Sequence, residues 1–220
     1  MSRWTFVLAV LLVPAAAGAQ TMIAKPGEVG WTDTDTGCLV WNPEAHANET
    51  VTWSGPCVDR HATGKGQLVW RRGGRASGAY DGEMVFGHLN GPGVFRFANG
   101  DRYEGVFTDD KLNGRGVLTT AEGNEYRGEF LVFRMNGRGV FRYKNGDRYE
   151  GEFRNDLPNG QGRAVWANGT VYDGQFRDGV PDGKGTYRAA AQTYSGTWNK
   201  GCFRDGNRAV SVMVDPATCP

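Results

Sequence analysis

The heptapeptide NGDRYEG stands at residues 99–105 and again at 145–151, and halfway between them, at 122–128, the chain reads EGNEYRG. A phrase that returns every 23 residues marks a repeat architecture, in which each unit is one supersecondary element packed on its neighbours. Its tyrosines set the frame: Tyr80, Tyr103, Tyr126, Tyr149, Tyr172 and Tyr194. With tyrosine as position 0, glycine recurs at +2 (Gly82 to Gly196), at +11 (Gly91 to Gly183) and at +13 (Gly93 to Gly185). A large apolar residue occupies +4: Met84, Phe107, Phe130, Phe153, Phe176 and Trp198. The chain has 34 glycines in 220 residues, about twice the usual share, and the frame absorbs 16 of them.

Inside a unit the period is two. Tyrosine, glycine and ring at 0, +2 and +4 lie on one face of a strand, with polar residues between them. The second segment carries apolar residues at +15 and +17, such as Phe95 and Phe97 or Phe141 and Tyr143. An antiparallel pairing whose opposed positions sum to 17 sets the +4 ring against the +13 glycine and the +2 glycine against +15. Continued across the next turn with a sum of 40, it sets large against small on both sides of every strand. On the other face it predicts the ion pairs Asp81–Arg96 and Asp173–Arg188, with Arg127 opposite Arg142 as an exception. The expected fold is all-β: an elongated, twisted, single-layer antiparallel sheet of stacked 23-residue hairpins.

The ends need closing, because a terminal strand exposes unpaired backbone groups. Trp53, followed by Gly55, Gly64, Gly66 and Gly73, reads as a degenerate first unit, so the array runs over 53–200 with units near 53, 80, 103, 126, 149, 172 and 194. Residues 1–19 combine Arg3, an apolar run and a small-residue terminus, the pattern of an export signal cleaved after about Ala19. That destination, periplasmic or secreted, favours disulfides. Four cysteines allow three pairings, of which Cys38–Cys57 and Cys202–Cys219 is the simplest. Each short loop is worth on the order of 3 kcal/mol. Residues 20–52 and 201–220 are then stapled caps, with RAVSVMV (208–214) as a last covering strand.

The stretch YEGEFRNDLPNGQGRAVWANG (149–169) resembles the MORN repeat (membrane occupation and recognition nexus), and the resemblance covers roughly 53–200. GCLVWNPEAHANETVTWSGPC (37–57) resembles the opening of exported bacterial members. The resemblance implies an interaction module: a protein scaffold, a self-associating array, or a contact for acidic phospholipid.

No catalytic or metal constellation stands out, and neither an enzyme nor a cofactor is expected. DTDTG (33–37) lacks the rest of an aspartic-protease or calcium-loop pattern and reads as a capping turn. GVPDGKGT (179–186) has the wrong spacing for a phosphate loop. His46, His61 and His88 are scattered. A net charge of +1 does not indicate nucleic acid. Two features suit binding. Tyr103, Phe107, Tyr126, Phe130, Tyr149 and Phe153 would line an aromatic groove if curvature opens it, and otherwise pack on each other and on glycine. Arg96, Arg115, Arg138, Arg142, Lys184 and Arg188 form a row for anionic lipid, or else a solvated face balanced by acids. The expected partners are an envelope protein, a second copy, or anionic lipid.

Overall fold

A computed structural model describes residues 30–46 and 48–219; the expected export signal lies outside the described residues. They form two compact units, divided in sequence between Ala121 and Glu122. The first holds β1 (Trp31–Asp33), β2 (Leu39–Trp41), β3 (Glu49–Trp53), β4 (Cys57–Val58), β5 (His61–Ala62), β6 (Gly64–Arg72), β7 (Arg75–Val85), β8 (His88–Phe97), β9 (Arg102–Thr108) and β10 (Lys111–Thr119). The second holds β11 (Glu125–Leu131), β12 (Arg134–Arg142), β13 (Arg148–Arg154), β14 (Leu157–Val165), β15 (Val171–Arg177), β16 (Val180–Ala189), β17 (Gln192–Trp198), β18 (Cys202–Asp205), β19 (Arg208–Ser211) and a single 3-10 turn, Pro216–Thr218. β3 and β6 to β17 make up the array, thirteen antiparallel strands in chain order. The first unit adds a small sheet of order β1-β2-β5-β4, and the second a separate ribbon, β18-β19.

Each hairpin closes on two residues in the left-handed region: Asp109 and Asp110 (φ 46° and 65°), Val132 and Phe133 (48° and 64°), Asn155 and Asp156 (48° and 72°). Two successive positive φ values give the turn whose twist matches a hairpin. That turn comes immediately after the +5 residue, and it corrects the expected register. Phe130 at +4 lies opposite Met135 at +9, so opposed positions there sum to 13 rather than 17. The +11 glycine, Gly137, then takes φ 73° and bulges the second strand by two residues. Beyond the bulge Gly128 faces Gly139 and Tyr126 faces Phe141. Across to the next repeat Gly137 faces Phe153, Gly139 faces Gly151 and Phe141 faces Tyr149, a sum of 38 rather than 40.

Large therefore meets small diagonally. The Tyr126 ring lies across the facing glycines of its own hairpin: a Cβ on Gly139 would stand 2.5 Å from the Tyr126 ring and hydroxyl, and one on Gly128 would strike the same side chain. Tyr80, Tyr103, Tyr149 and Tyr172 cover their glycine pairs in the same way. The tyrosine hydroxyl then donates to the +3 carbonyl, which the bulge leaves without a ladder partner: Glu129 O from Tyr126 and Glu152 O from Tyr149, both at 2.9 Å. Trp53 lies over Gly55 and Gly66 as the tyrosines lie over their glycines, and its Nε1 donates to Pro56 O at 2.9 Å.

The shifted register also revises the ion pairs. Arg96 lies opposite Ala79, and Arg188 opposite Val171. Asp173 instead reaches Arg163, at 3.8 Å. Arg127 faces Val140, so the expected Arg127–Arg142 clash does not arise, and Arg142 meets Glu125 at 3.3 Å.

Both disulfides join the expected partners, Cys38–Cys57 and Cys202–Cys219. The DTDTG segment is a capping turn: Asp35 N–H donates to Val51 O, and Asp35 Oδ1 accepts from Trp53 N–H, so the outer edge of β3 is closed. The covering strand expected over 208–214 forms only in part and elsewhere. Arg208–Ser211 pairs with β18, not with β17, because Asn199 and Cys202 close a tight turn that folds the chain back on itself.

Candidate functional site

The six rings expected to line a groove are at most 3 % exposed. They close that space rather than line it. Within the second unit the rings alternate edge to face: Tyr126 to Phe153 (5.0 Å), Phe153 to Tyr149 (5.0 Å), Tyr149 to Phe176 (5.0 Å), Phe176 to Tyr172 (5.0 Å) and Tyr172 to Trp198 (5.2 Å). This geometry sets the positive edge of one ring on the negative face of the next. Burial pushes the Tyr80 and Tyr103 hydroxyls up to about 12 and raises those of Tyr126, Tyr149 and Tyr172 as well. These tyrosines are structural donors.

The rings that do meet solvent sit further along the same face, at +15 and +17. In the first unit Trp70, Phe95 and Phe97 are half-buried and in mutual contact, with centroids 5.6 and 4.6 Å apart. In the second, Phe141 and Tyr143 pack at 4.5 Å, and Trp166 meets Tyr187 at 6.2 Å. The apolar alternation at +15 and +17 was visible in the sequence; that these rings, rather than those at 0 and +4, meet solvent in each unit depends on the register.

All six members of the expected basic row are exposed, but they stand among acids. Arg138 faces Glu152, and Arg142 pairs with Glu125. Two like-charged neighbours interrupt this balance, Arg96 opposite Arg102 and Arg142 opposite Arg148, although Arg102 and Arg148 each reach a glutamate.

Three further features lie outside the sequence-based expectations. Asp101 and Asp147, the acids of the repeated NGD, are 4 % and 5 % exposed and accept the backbone N–H of Ala121 and Ala167, both at 2.8 Å, tying each long turn to the next. His61 and His88, far apart in sequence, pack against the Trp31 ring at 5.0 and 5.3 Å. His88 Nδ1 meets Asp110 Oδ2 at 2.6 Å. Leu131, Val132 and Phe133 form an apolar hairpin tip, 53 %, 50 % and 38 % exposed, as Val85 and Phe86 do at the turn of the Tyr80 unit, whereas the turns at Asp109–Asp110, Asn155–Asp156 and Asp178–Gly179 begin with Asp or Asn. Among the described residues no group of His, Cys, Asp and Glu is arranged to hold a metal ion.

This geometry is that of a known repeat. The profile of the MORN repeat matches residues 80–102, 103–125, 134–148, 149–171 and 172–191. The array is built of MORN repeats. Its gap at 126–133 falls on the unit whose turn is Val132–Phe133, where the usual turn residues are missing. No curated protein matches the chain. The MORN repeat is a binding repeat, and no catalytic family is indicated.

Proposed function

We propose that this MORN-repeat protein is an exported, non-catalytic binding or scaffolding module that holds another protein of the cell envelope against its half-exposed rings. The observation that carries the reading is the set of half-buried rings in the second unit, Phe141, Trp166 and Tyr187, aromatic surface on a sheet in which the core rings are already satisfied. Aromatic side chains of this kind concentrate binding energy at protein interfaces. The two disulfides fit an oxidising compartment. The test is cross-linking in cells followed by fractionation. Adducts in the envelope fraction that disappear in a folded Phe141→Ala/Trp166→Ala variant are expected; adducts indifferent to both substitutions, or a chain retained in the cytosol, overturn the reading.

A second reading, peripheral contact with anionic lipid, draws on the paired cations Arg96/Arg102 and Arg142/Arg148. Each cation near such a surface contributes about 1 kcal/mol. Co-sedimentation with anionic but not neutral vesicles, weakening as salt rises, would favour it; a protein that stays in the supernatant throughout removes it.

A further inference from the structure

The two terminal strands of the array are treated differently. The outer edge of β3 is closed by Asp35, through its backbone and its carboxylate. The other terminal strand, β17, pairs with β16 in unbroken register from Gly183↔Trp198 to Ala189↔Gln192. In an antiparallel ladder alternate residues turn their N–H and C=O away from the partner. The tight turn between Ala189 and Gln192 makes that pair a hydrogen-bonded one, so the outward residues are Thr193, Ser195, Thr197 and then Asn199. Asn199 obeys the rule, exchanging both backbone bonds with Cys202 at 2.9 Å. Among the described residues no backbone partner meets Thr193, Ser195 or Thr197, and all three are exposed. β17 also lacks the usual protections of an edge: Gln192–Trp198 contains no charge, no proline and no bulge.

We propose that the free edge of β17 is a strand-acceptor site that takes an extended, acidic segment of a partner protein as the next strand of the sheet. Three outward residues supply the backbone register, as in other recognition by strand addition. The surrounding side chains set the chemistry. On the outer face Thr197 is flanked by Lys184 and Thr193 by Arg188, and among the described residues neither cation has an ion-pair partner. The nearby carboxylates are engaged elsewhere, Asp173 with Arg163, Asp182 with Arg177 and Asp205 with Arg208. An incoming strand thus meets hydroxyls and unneutralised positive charge on its outer side. On its inner side it meets half-buried Tyr194, packed against Phe203 at 6.0 Å. Alternating acidic and apolar residues match both. A second copy matches less well, since pairing β17 with its own duplicate sets Lys184 and Arg188 of both chains along one seam. The site borders the half-buried rings, since Tyr187 lies opposite Tyr194 at 6.2 Å, but it rests on the backbone edge and does not depend on the function proposed for those rings.

The probe is a capped Glu-Val-Glu-Val-Glu-Val hexapeptide, with Lys-Val-Lys-Val-Lys-Val as its charge-reversed control, added to the full disulfide-bonded chain while backbone amide exchange is followed by NMR. The acidic peptide is expected to slow exchange at Thr193, Ser195 and Thr197 by about tenfold or more at saturation, and to bind several-fold more tightly than the basic one at low salt. The edge variant is Ser195→Pro, which removes an outward N–H and no ladder bond, so the sheet is retained; binding should be lost while the exchange of β13–β15 stays unchanged. Should Ser195→Pro disturb the fold, Thr197→Pro repeats the test one outward position on. Phe141→Ala, whose ring packs against Tyr126 and Tyr143, should leave peptide binding intact. The proposal is overturned if the three amides gain no protection, if protection survives both proline variants, or if the basic peptide binds as well. It is also overturned if the free chain already protects these amides in a concentration-dependent way, the sign of a second copy in the site.

Discussion

Gly139→Ala adds one methyl group, and the array has no room for it. The new Cβ would lie 2.5 Å from both the Tyr126 hydroxyl and its ring edge, well inside any real contact. The ring cannot swing away, because Phe130 and Phe153 hold it edge to face at 5.1 and 5.0 Å. Overpacking of this kind costs about 1–3 kcal/mol. Tilting the ring also lengthens the part-buried Tyr126 bond to Glu129 O, worth about 1 kcal/mol more. Against this, alanine recovers about 0.5–1 kcal/mol of backbone entropy. The net expectation is a loss of about 1–3.5 kcal/mol. Gly78→Ala is the matched control: on the same face of the sheet, its Cβ would find Phe95 and Trp70 at an ordinary 3.6 Å, so it should be neutral or mildly stabilising. Thermal and urea denaturation of both variants, with amide exchange at Glu129 to localise the damage, makes the comparison. Adding Tyr126→Leu to Gly139→Ala should recover part of the loss, giving a favourable coupling in a double-mutant cycle. The reasoning fails if Gly139→Ala is as stable as the parent, or if Gly78→Ala is equally harmful.

The buried tyrosines give an alkaline limit. Tyr80 and Tyr103 titrate near 12 when folded against an ordinary 10, so the unfolded chain loses protons first and stability, intact below pH 10, falls as pH rises to 12; tyrosinate absorbance should rise together with unfolding, not before it. Asp147→Ala leaves the Ala167 N–H without its acceptor and should cost about 1–3 kcal/mol, read by denaturation and by faster exchange at Ala167. Val132→Asn with Phe133→Gly replaces a strained apolar turn by the residues such turns favour and should stabilise by about 1–3 kcal/mol, seen as a higher Tm. Cys202→Ser/Cys219→Ser opens a loop of sequence separation 17 and should cost about 3 kcal/mol, with exchange rising in β18 and β19 before β11.

The hairpin array was legible in the sequence because tyrosine, glycine and ring recur at fixed offsets, and those offsets are the footprint of one side chain lying on two glycines. The register was not. It depends on whether the +11 glycine adopts positive φ, and a glycine carries no side chain to announce its conformation. That bulge of two residues moved every partner, turned the Tyr103–Phe153 rings from a candidate groove into core, and brought the +15/+17 rings forward. The NGD acids were plainly repeated, but Asp101 and Asp147 look like ordinary turn residues until the next turn is seen donating to them. RAVSVMV had the composition of a strand, and the tight turn at Asn199–Cys202 decided which strand it joined.

The ring chain in the second unit has one further consequence. Each tyrosine rests on glycines of its own repeat but is wedged by the ring of the following one, so no repeat owns a complete core. Because the same bulge resets the ladder every 23 residues, a whole unit can be duplicated or deleted by recombination without re-solving any packing problem. At the end of the array the covering changes: Tyr194 donates to Gln192 Oε1 instead of a bulge carbonyl, and Phe203, not a tyrosine, lies over Gly196. The last hairpin keeps the fold with different covering groups, and the length of the array is a number that can change one unit at a time.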